Sequence, residues 1–472
     1  MIHPDLAGQS TAAERWAFEL LVDLARILPA ADRESGAIEV RVDDGSQPAS
    51  FTPGKREVRI HPAVLQRVVD VAGGAIEQRT TSWDRHGRVP ASVNPLVATG
   101  LERSLPMHAL AEEFAAAVAA SADTVPVYRL GPWPGSARWA AAVTHDLDIV
   151  SGWPLFAGLR VVELLKKGDV GRALSAVGSS LAALASGPVR KSLERILELE
   201  RAAGVRSTWF VLSGEPSAAG WRRGDITYAL EGPAARSLVG QMLAAGHEIG
   251  LHGSFDTRDD AALMAAERDR VARVTGKPPR GVRQHFLRLD PGSTLRHAEA
   301  AGFGYDATLG FADRNAFRLG LAEVAPLWNE AESRALRLVE APLTWMDRTH
   351  SKYRGEEDPA AWVRDALTLA DQVREAQGLW VGLWHPNVSA PLGFPGALDA
   401  FATLVQQLAS RGPWLAPLSD IVEWRAARRG LRGRRRPQGG AIELVSDRPG
   451  TWEVKLIAPT GTGNLHPWPA HG

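Results

Sequence analysis

The sequence predicts an α/β fold with a mostly parallel sheet, either open or closed into a barrel. Between residues 139 and 428, short apolar runs alternate with segments of helical periodicity, as in parallel strands with crossover helices. Polar residues directly follow several of these runs, at the edge where active sites of parallel α/β barrels are built. The 472 residues also suffice for about three domains with a large core.

Composition excludes several classes of protein. Apolar residues make up 45% and charged residues 23%, which is too apolar for a disordered chain. Because 54 basic side chains balance 54 acidic ones, no chain-wide field favours nucleic acid or an anionic membrane. Without cysteine, thiolate catalysis and cysteine zinc sites are excluded. No secretory signal and no membrane span is visible, so we expect a cytoplasmic protein.

Residues 1–130 form a separate α/β unit in this prediction, of unknown role. Helical spacing covers 12–29 and recurs around 105–121, and alternating apolar residues predict strands at 38–42 and 56–60. Two prolines and two glycines within 128–139 indicate a linker.

The second predicted domain, 131–428, contains the alternating pattern. Its apolar runs, taken as strands, are 140–148, 205–212, 247–252, 281–287, 305–311, 338–345 and 379–385. Its helical segments include 190–203, 232–245, 359–377 and 396–410. Two further helical stretches between 155 and 187 are interpreted as an insertion beside the site.

The last predicted domain, 429–472, is an Arg-rich linker followed by a small β appendage. Seven arginines lie between Arg425 and Arg436, which is typical of a solvated helix end or of a peripheral contact with an anionic surface. Alternating runs at 441–445 and 451–457 predict the hairpin.

Two polar clusters suggest chemistry. In THDLD (144–148), Asp146 and Asp148 follow a strand, so one can hold a cation while the other takes a proton. In HEIGLHGSFD (247–256), His252 and Asp256 are suitable ligands for Zn²⁺ or a similar ion, and a turn after the strand would bring both to it. His247 begins the same strand and is expected to be structural.

In order along the chain, THDLD, GHEIGLHGSFD, GVRQHFLR, PLTWMD (342–347) and LWH (383–385) resemble the motifs of the polysaccharide deacetylase (NodB-homology) superfamily, carbohydrate esterase family four. The first and third motifs are most similar to the branch with a THDxD first motif. The resemblance covers roughly 139–428. It implies a distorted (β/α)7-type barrel and metal-dependent hydrolysis of an N-acetyl or O-acetyl group.

The resemblance also implies roles for individual residues. Asp146 would be the general base and Asp148 a metal ligand. Arg283 would orient the base, and Asp347 would tune His385, the general acid. The resemblance thus implies a hydrolase of carbon–nitrogen bonds other than peptide bonds. Its substrate would be an acetylated glycan or the precursor of one.

One position departs from the family's pattern. The second motif of the family usually supplies two histidines. Here His252 is the first, and Asp256 stands at the position of the second histidine. The expected ligands are therefore Asp148, His252 and Asp256, with zinc as the expected metal and other divalent ions admitted by the harder ligand set. His285, Trp384 and Trp345 are predicted to contact substrate.

Two alternatives remain at this point. A deacetylase-like barrel whose second histidine has been lost would bind glycan without hydrolysing it. A glycosyltransferase of the DxD type would use Asp146 and Asp148 to hold a metal and a nucleotide diphosphate, but this leaves Arg283 and His385 unexplained.

Overall fold

A mixed α/β architecture is present, which confirms the predicted class at this level. The computed structural model describes residues 1–31, 37–45, 48–150, 153–183, 188–223, 225, 227–435, 442–448, 450–458 and 466–471. None of the helices in these ranges combines the length and the apolar character that a bilayer crossing requires.

The amino-terminal part of the chain contains a four-stranded sheet packed against helices. In sheet order its strands are Ile2–Ala7, Ile38–Val42, Glu57–Ile60 and Phe51–Gly54. Its helices are Ala12–Ala25, Pro62–Val71, Ala75–Gln78, Pro95–Thr99 and Pro106–Ala120. The helix predicted over 12–29 ends earlier, because Arg26 adopts a left-handed conformation with φ of 57°.

A curled sheet lies at the centre of the chain. In sheet order its strands are Ala325–Asn329, Arg334–Glu340, Tyr305–Asp306, Gly281–Gln284, Glu248–Gly253, Thr208–Leu212, Ala140–Leu147, Leu379–Leu383 and Trp345–Met346. The pairings are parallel except at the Ala325–Asn329 edge, and Trp414–Leu415 adds a further parallel pairing to Ala140–Leu147.

The curl of this sheet follows from its strand order. The strand that ends at Glu340 and the strand that begins at Trp345 are four residues apart in the chain but stand near opposite ends of the sheet. Residues 341–344 therefore link the two ends, and the sheet bends around a packed interior. Closure into a regular seven-stranded barrel remains a prediction.

Helices surround the curled sheet. They are Trp153–Lys166, Val170–Ala183, Pro188–Ala202, Ala218–Arg223, Pro233–Ala244, Ala261–Thr275, Thr294–Ala300, Pro359–Glu375, Ala397–Ser410 and Leu418–Arg429. The first two pack against each other and form the predicted insertion, and they expose apolar side chains such as Leu159 and Leu174. Phe156 and Leu159 of the first helix also line the central cavity, so the insertion lies beside it.

The carboxyl-terminal strands join a third sheet, in the order Arg432–Arg435, Ile442–Val445, His466–His471, Gly450–Ala458 and Val127–Leu130. The segment interpreted as a linker from residue 128 thus begins within a strand. The strand Val127–Leu130 pairs antiparallel with Gly450–Ala458. The carboxyl-terminal strands are therefore hydrogen-bonded to the segment that precedes the curled sheet.

The structure corrects the prediction of a solvated segment or an external anionic contact for the first three of the seven arginines; Arg432 is half-buried and Arg434 is exposed, so for these two it stays a prediction. Arg425 and Arg428 are buried and form ion pairs with Asp23 at 3.1 and 3.2 Å, and Arg429 contacts the same carboxylate at 2.8 Å. The sequence alone does not predict this pairing, because Asp23 lies some four hundred residues before the arginines. Arg436 lies outside the described residues.

Removal of this shared carboxylate is expected to destabilise the fold. Asp23→Ala removes the carboxylate that Arg429 contacts and leaves Arg425 and Arg428 with Glu323 alone, at 2.8 and 3.8 Å; breaking one side of a buried ion pair costs about 3–5 kcal/mol. Chemical denaturation would measure the loss. Glu39→Ala, which removes a half-exposed partner of Arg41, is the matched control and should cost about 1 kcal/mol or less. Equal costs for the two variants would contradict this assignment.

Candidate active site

Polar side chains from neighbouring parallel strands meet at one edge of the curled sheet. The pairing register aligns Leu383 with Thr144, Leu212 with His252, and His252 with Arg283. Since the carboxyl ends of parallel strands lie at the same edge, the residues that follow these positions converge. They surround a cavity of about 290 Å³ whose lining includes Asp146, Asp148, His252, His285 and His385.

Asp146 is held by a fully buried arginine. Arg283 donates from Nη1 to Oδ1 of Asp146 at 3.0 Å and to the Thr144 hydroxyl at 2.8 Å. Its Nε donates to the Ala307 carbonyl at 2.8 Å, and its guanidinium lies 4.4 Å from the Phe210 ring centroid. The predicted pairing of Arg283 with Asp146 is therefore present in the structure, and the carboxylate has one defined orientation.

A buried carboxyl pair supports the loop that carries the Ala307 carbonyl. Asp306 accepts from the amide and hydroxyl of Thr308, and Glu340 accepts from the amide of Leu309 at 3.0 Å. Burial raises the pKa of Asp306 to about 6. The pKa of Glu340 is also raised, by its burial and by the adjacent Asp306. The pair therefore fixes the backbone that positions Arg283.

Three histidines share one arrangement around Asp148. Their Nδ1 atoms are hydrogen-bonded to protein oxygens: His252 to the Arg283 carbonyl at 2.9 Å, His285 to Asp225 at 2.6 Å and His385 to Asp347 at 2.6 Å. Their Nε2 atoms lie 3.5, 3.9 and 4.0 Å from Asp148 oxygens, in the same order. Occupied Nδ1 atoms leave Nε2 as the nitrogen that faces the cavity.

A divalent cation fits between three of these side chains. The ligand atoms of Asp148, His252 and His285 all lie within 4.8 Å of one another. Oδ1 of Asp148 is buried and has no hydrogen-bond partner among the described residues. A buried oxygen without a donor, beside two imidazoles whose other nitrogens are already bonded, matches the first and outer shells of a metal site.

Asp256, predicted as the third ligand, lies elsewhere. Its side chain is 59% exposed, pairs with Arg223 and does not line the cavity. The physical reason is local: the chain turns into a short 3-10 helix, Phe255–Arg258, directly after the strand that carries His252. His285, predicted to contact substrate, lies instead in the cluster of candidate metal ligands, with Asp148 and His252.

The sequence contains a signal for His285 and none for its partner. His285 stands two residues after Arg283 at the end of a strand, the spacing that puts two side chains on one face. Asp225 belongs to a loop sixty residues earlier, and only the tertiary fold brings it within 2.6 Å of His285 Nδ1. Phe286, in the left-handed region at φ of 61°, stacks on the His285 ring at 3.9 Å.

Asp347 and His385 lie together as predicted. Beyond the contact with His385 Nδ1, the Asp347 carboxylate accepts from the amide of His385 at 2.8 Å. Burial acts to lower the pKa of His385, but the carboxylate of Asp347 and then those of Asp148 and Asp146 outweigh it, so the pKa is raised. The arrangement favours a protonated imidazole at the cavity.

Trp345 and Trp384 do not contact the cavity, contrary to their predicted contact with substrate. Each side chain is 1% exposed, and their rings stack on each other with centroids 5.9 Å apart. They belong to the core behind the site. The aromatic residues at the cavity are instead Phe156, Phe286, Tyr353 and Phe394.

Comparisons with known proteins give structural neighbours alone. No family model and no curated protein matches the chain. A solved putative polysaccharide deacetylase from Mycobacterium smegmatis is 21% identical, with a TM-score of 0.42 over 62% of this chain and 92% of that one. An allantoinase is 18% identical, with a TM-score of 0.42 over 63% and 93%.

A further solved neighbour is a putative polysaccharide deacetylase involved in O-antigen biosynthesis, from Bordetella bronchiseptica. It is 16% identical, with a TM-score of 0.29 over 59% of this chain and 93% of that one. All three TM-scores lie below 0.5, and these likenesses assign no function to this chain.

Proposed function

We propose that this protein is a metal-dependent hydrolase that removes acetyl groups from a bacterial surface polysaccharide or exopolysaccharide, or from its precursor. The proposal is based on one observation: a single cavity contains a carboxylate bonded to an arginine, a histidine bonded to an aspartate, and a cluster of three side chains that can hold a metal ion. Asp146 with Arg283 supplies a base, and His385 with Asp347 supplies an acid. A base that activates water and an acid that protonates the leaving amine both accelerate hydrolysis of an amide.

Asp148, His252 and His285 would hold the cation. One carboxylate and two imidazoles form a set typical of catalytic zinc, which makes zinc the metal we propose. When bound, the ion would supply Lewis-acid polarisation of the acyl carbonyl and of a water molecule.

The protein's own groups would move the protons. Asp146, aimed by Arg283, takes a proton from the attacking water. His385 enters the reaction protonated and donates from Nε2 to the departing amine, because its Nδ1 is committed to Asp347. Asp347 fixes the tautomer and ring orientation, so it acts as a positioning residue. The two proton-transfer groups line the same cavity, as the reaction requires.

The other two hypotheses lose support. The idea of a barrel that only binds glycan depended on a missing second histidine, and His285 now supplies that imidazole. A glycosyltransferase would need Asp146 free for a metal and a nucleotide diphosphate, but its Oδ1 accepts from a fully buried arginine.

Acetate release from N-acetylated and O-acetylated oligosaccharides would test the proposal. Protein stripped with a chelator and reloaded with Zn²⁺, Co²⁺ or Mn²⁺ should regain activity, and the stripped protein should be inactive. Acetate release that is equal with and without metal would contradict the metal-dependent mechanism. No release from any acetylated glycan, with the metal bound, would contradict the hydrolase proposal.

Replacement of Asp347 should change the pH profile. Asp347→Asn removes the carboxylate that raises the pKa of His385, so that pKa falls. Since the acid acts in its protonated form and activity is lost as pH rises through its pKa, the alkaline limb should move to lower pH. Loss of this outer partner should also reduce kcat about 10- to 100-fold. Asp256→Asn, at an exposed carboxylate, is the control; an unmoved alkaline limb in Asp347→Asn would contradict the acid assignment.

A further inference from the structure

Two cations of the cavity wall have no carboxylate partner. Arg348 and Lys352 both line the cavity, and no carboxylate oxygen of the described residues lies within 4.0 Å of either charged group. The other two cations of the same wall, Arg88 and Arg160, are compensated. Arg88 contacts Asp84 at 2.7 Å, and Arg160 contacts Glu163 and Glu357 at 2.9 and 2.8 Å.

Aromatic rings, not carboxylates, surround the two unpaired cations. The Arg348 guanidinium lies 5.0 Å from the Phe394 centroid, and the Lys352 ammonium lies 5.4 Å from that of Phe286. Asp347, Glu163 and Glu357 attract the Arg348 charge from a distance, but the Asp347 oxygens accept from two backbone amides and from His385.

Both side chains line the cavity; Lys352 is exposed and Arg348 is half-buried. Desolvation at the wall, with the guanidinium groups of Arg348 and Arg88 nearby, lowers the pKa of Lys352 to about 8. Desolvation also lowers the pKa of Arg348. An anion that enters the cavity between the two cations would form charge-assisted hydrogen bonds with both. A neutral glycan would leave them uncompensated.

We infer that the substrate carries an anionic group, a phosphate or a carboxylate, which Arg348 and Lys352 bind while the acetyl group lies at Asp148. The inference rests on the proposed function, because it identifies the substrate class of the same cavity. The two cations are four residues apart: Arg348 directly follows Asp347 at the start of the helical turn Thr349–Arg354, and Lys352 lies within that turn. Recognition of charge is thereby placed next to the residue that holds the acid His385.

Binding of small anionic sugars to metal-stripped protein tests the inference without any need for turnover. Glucose 1-phosphate represents the phosphate source, glucuronate the carboxylate source, and glucose is the neutral reference. We expect at least one of the anionic sugars to bind about tenfold or more tightly than glucose by calorimetry. Lys352→Gln and Arg348→Lys should each reduce that preference several-fold, and added salt should weaken it.

Arg354→Gln is the matched control, since Arg354 is an exposed cation on the same turn that does not line the cavity. It should leave the preference unchanged. Preference for one anionic sugar alone assigns the source of the charge. Equal binding of all three sugars, or equal losses in Lys352→Gln and Arg354→Gln, would overturn the inference. Because acetate release is not measured here, failure of this test is distinct from failure of the hydrolase proposal.

Discussion

Asp146→Asn is expected to reduce kcat for acetate release by about 10²- to 10⁴-fold while the protein keeps its metal. The amide fills the same volume and still offers an oxygen to Arg283, so the fold and the ligand cluster should be preserved. It cannot accept a proton from water, and the base is lost. Acetate release under saturating substrate would measure the effect, with metal content determined on the same samples.

The contrast with Asp148 makes this prediction specific. Asp148→Asn changes the neighbouring carboxylate of the same motif, and we expect it to lose metal as well as activity, because its Oδ1 lies in the ligand cluster. If Asp146→Asn retained more than about a tenth of the activity, another group would have to be the base. If it lost metal together with activity, Asp146 would be a ligand instead.

The sequence predicted the part of the site that strands determine. Asp146, Asp148, His252 and Arg283 follow or end apolar runs, and parallel pairing places such positions at one edge whatever the loops do. His385 follows the same rule. A periodic pattern thus suffices to gather these residues, without knowledge of the connections between the strands.

The parts that loops determine could not be predicted. Its spacing and its place in the second motif predict Asp256 beside His252, but a short helix turns it outward to Arg223. Asp225 has no motif of its own and reaches His285 through the fold. The same holds for Asp23, whose ion pairs with Arg425, Arg428 and Arg429 join the two ends of the chain.

The chain has 16 tryptophans and only four tyrosines, and three of the tryptophans have a structural explanation. The rings of Trp345 and Trp384 stack within the core, and Trp362 lies 6.1 Å from Trp384 in the same cluster. Sequence composition does not distinguish such a cluster from a sugar-binding wall, because an indole ring suits both. Burial decides between them, and each of these rings is buried.

His285→Ala is expected to reduce the affinity for the divalent ion by more than about 100-fold, whereas Asp256→Ala should leave it within twofold. The reason is placement: His285 Nε2 belongs to the cluster with Asp148 and His252, and Asp256 faces Arg223 outside the cavity. Competition with a chromophoric chelator would measure both affinities.

Asp225→Asn refines the same test, because it changes only the outer partner of His285. The Asp225 carboxylate accepts from His285 Nδ1 at 2.6 Å and from the backbone amide of Phe255 at 2.9 Å. The uncharged side-chain amide of the asparagine should therefore orient the imidazole less well. An intermediate loss of affinity, about 10- to 100-fold, is expected. If Asp256→Ala lost the ion while His285→Ala kept it, the ligands would be those expected from the sequence. The chain would then have to rearrange around Phe255–Arg258 on binding, since the short helix there directs Asp256 away from the ion.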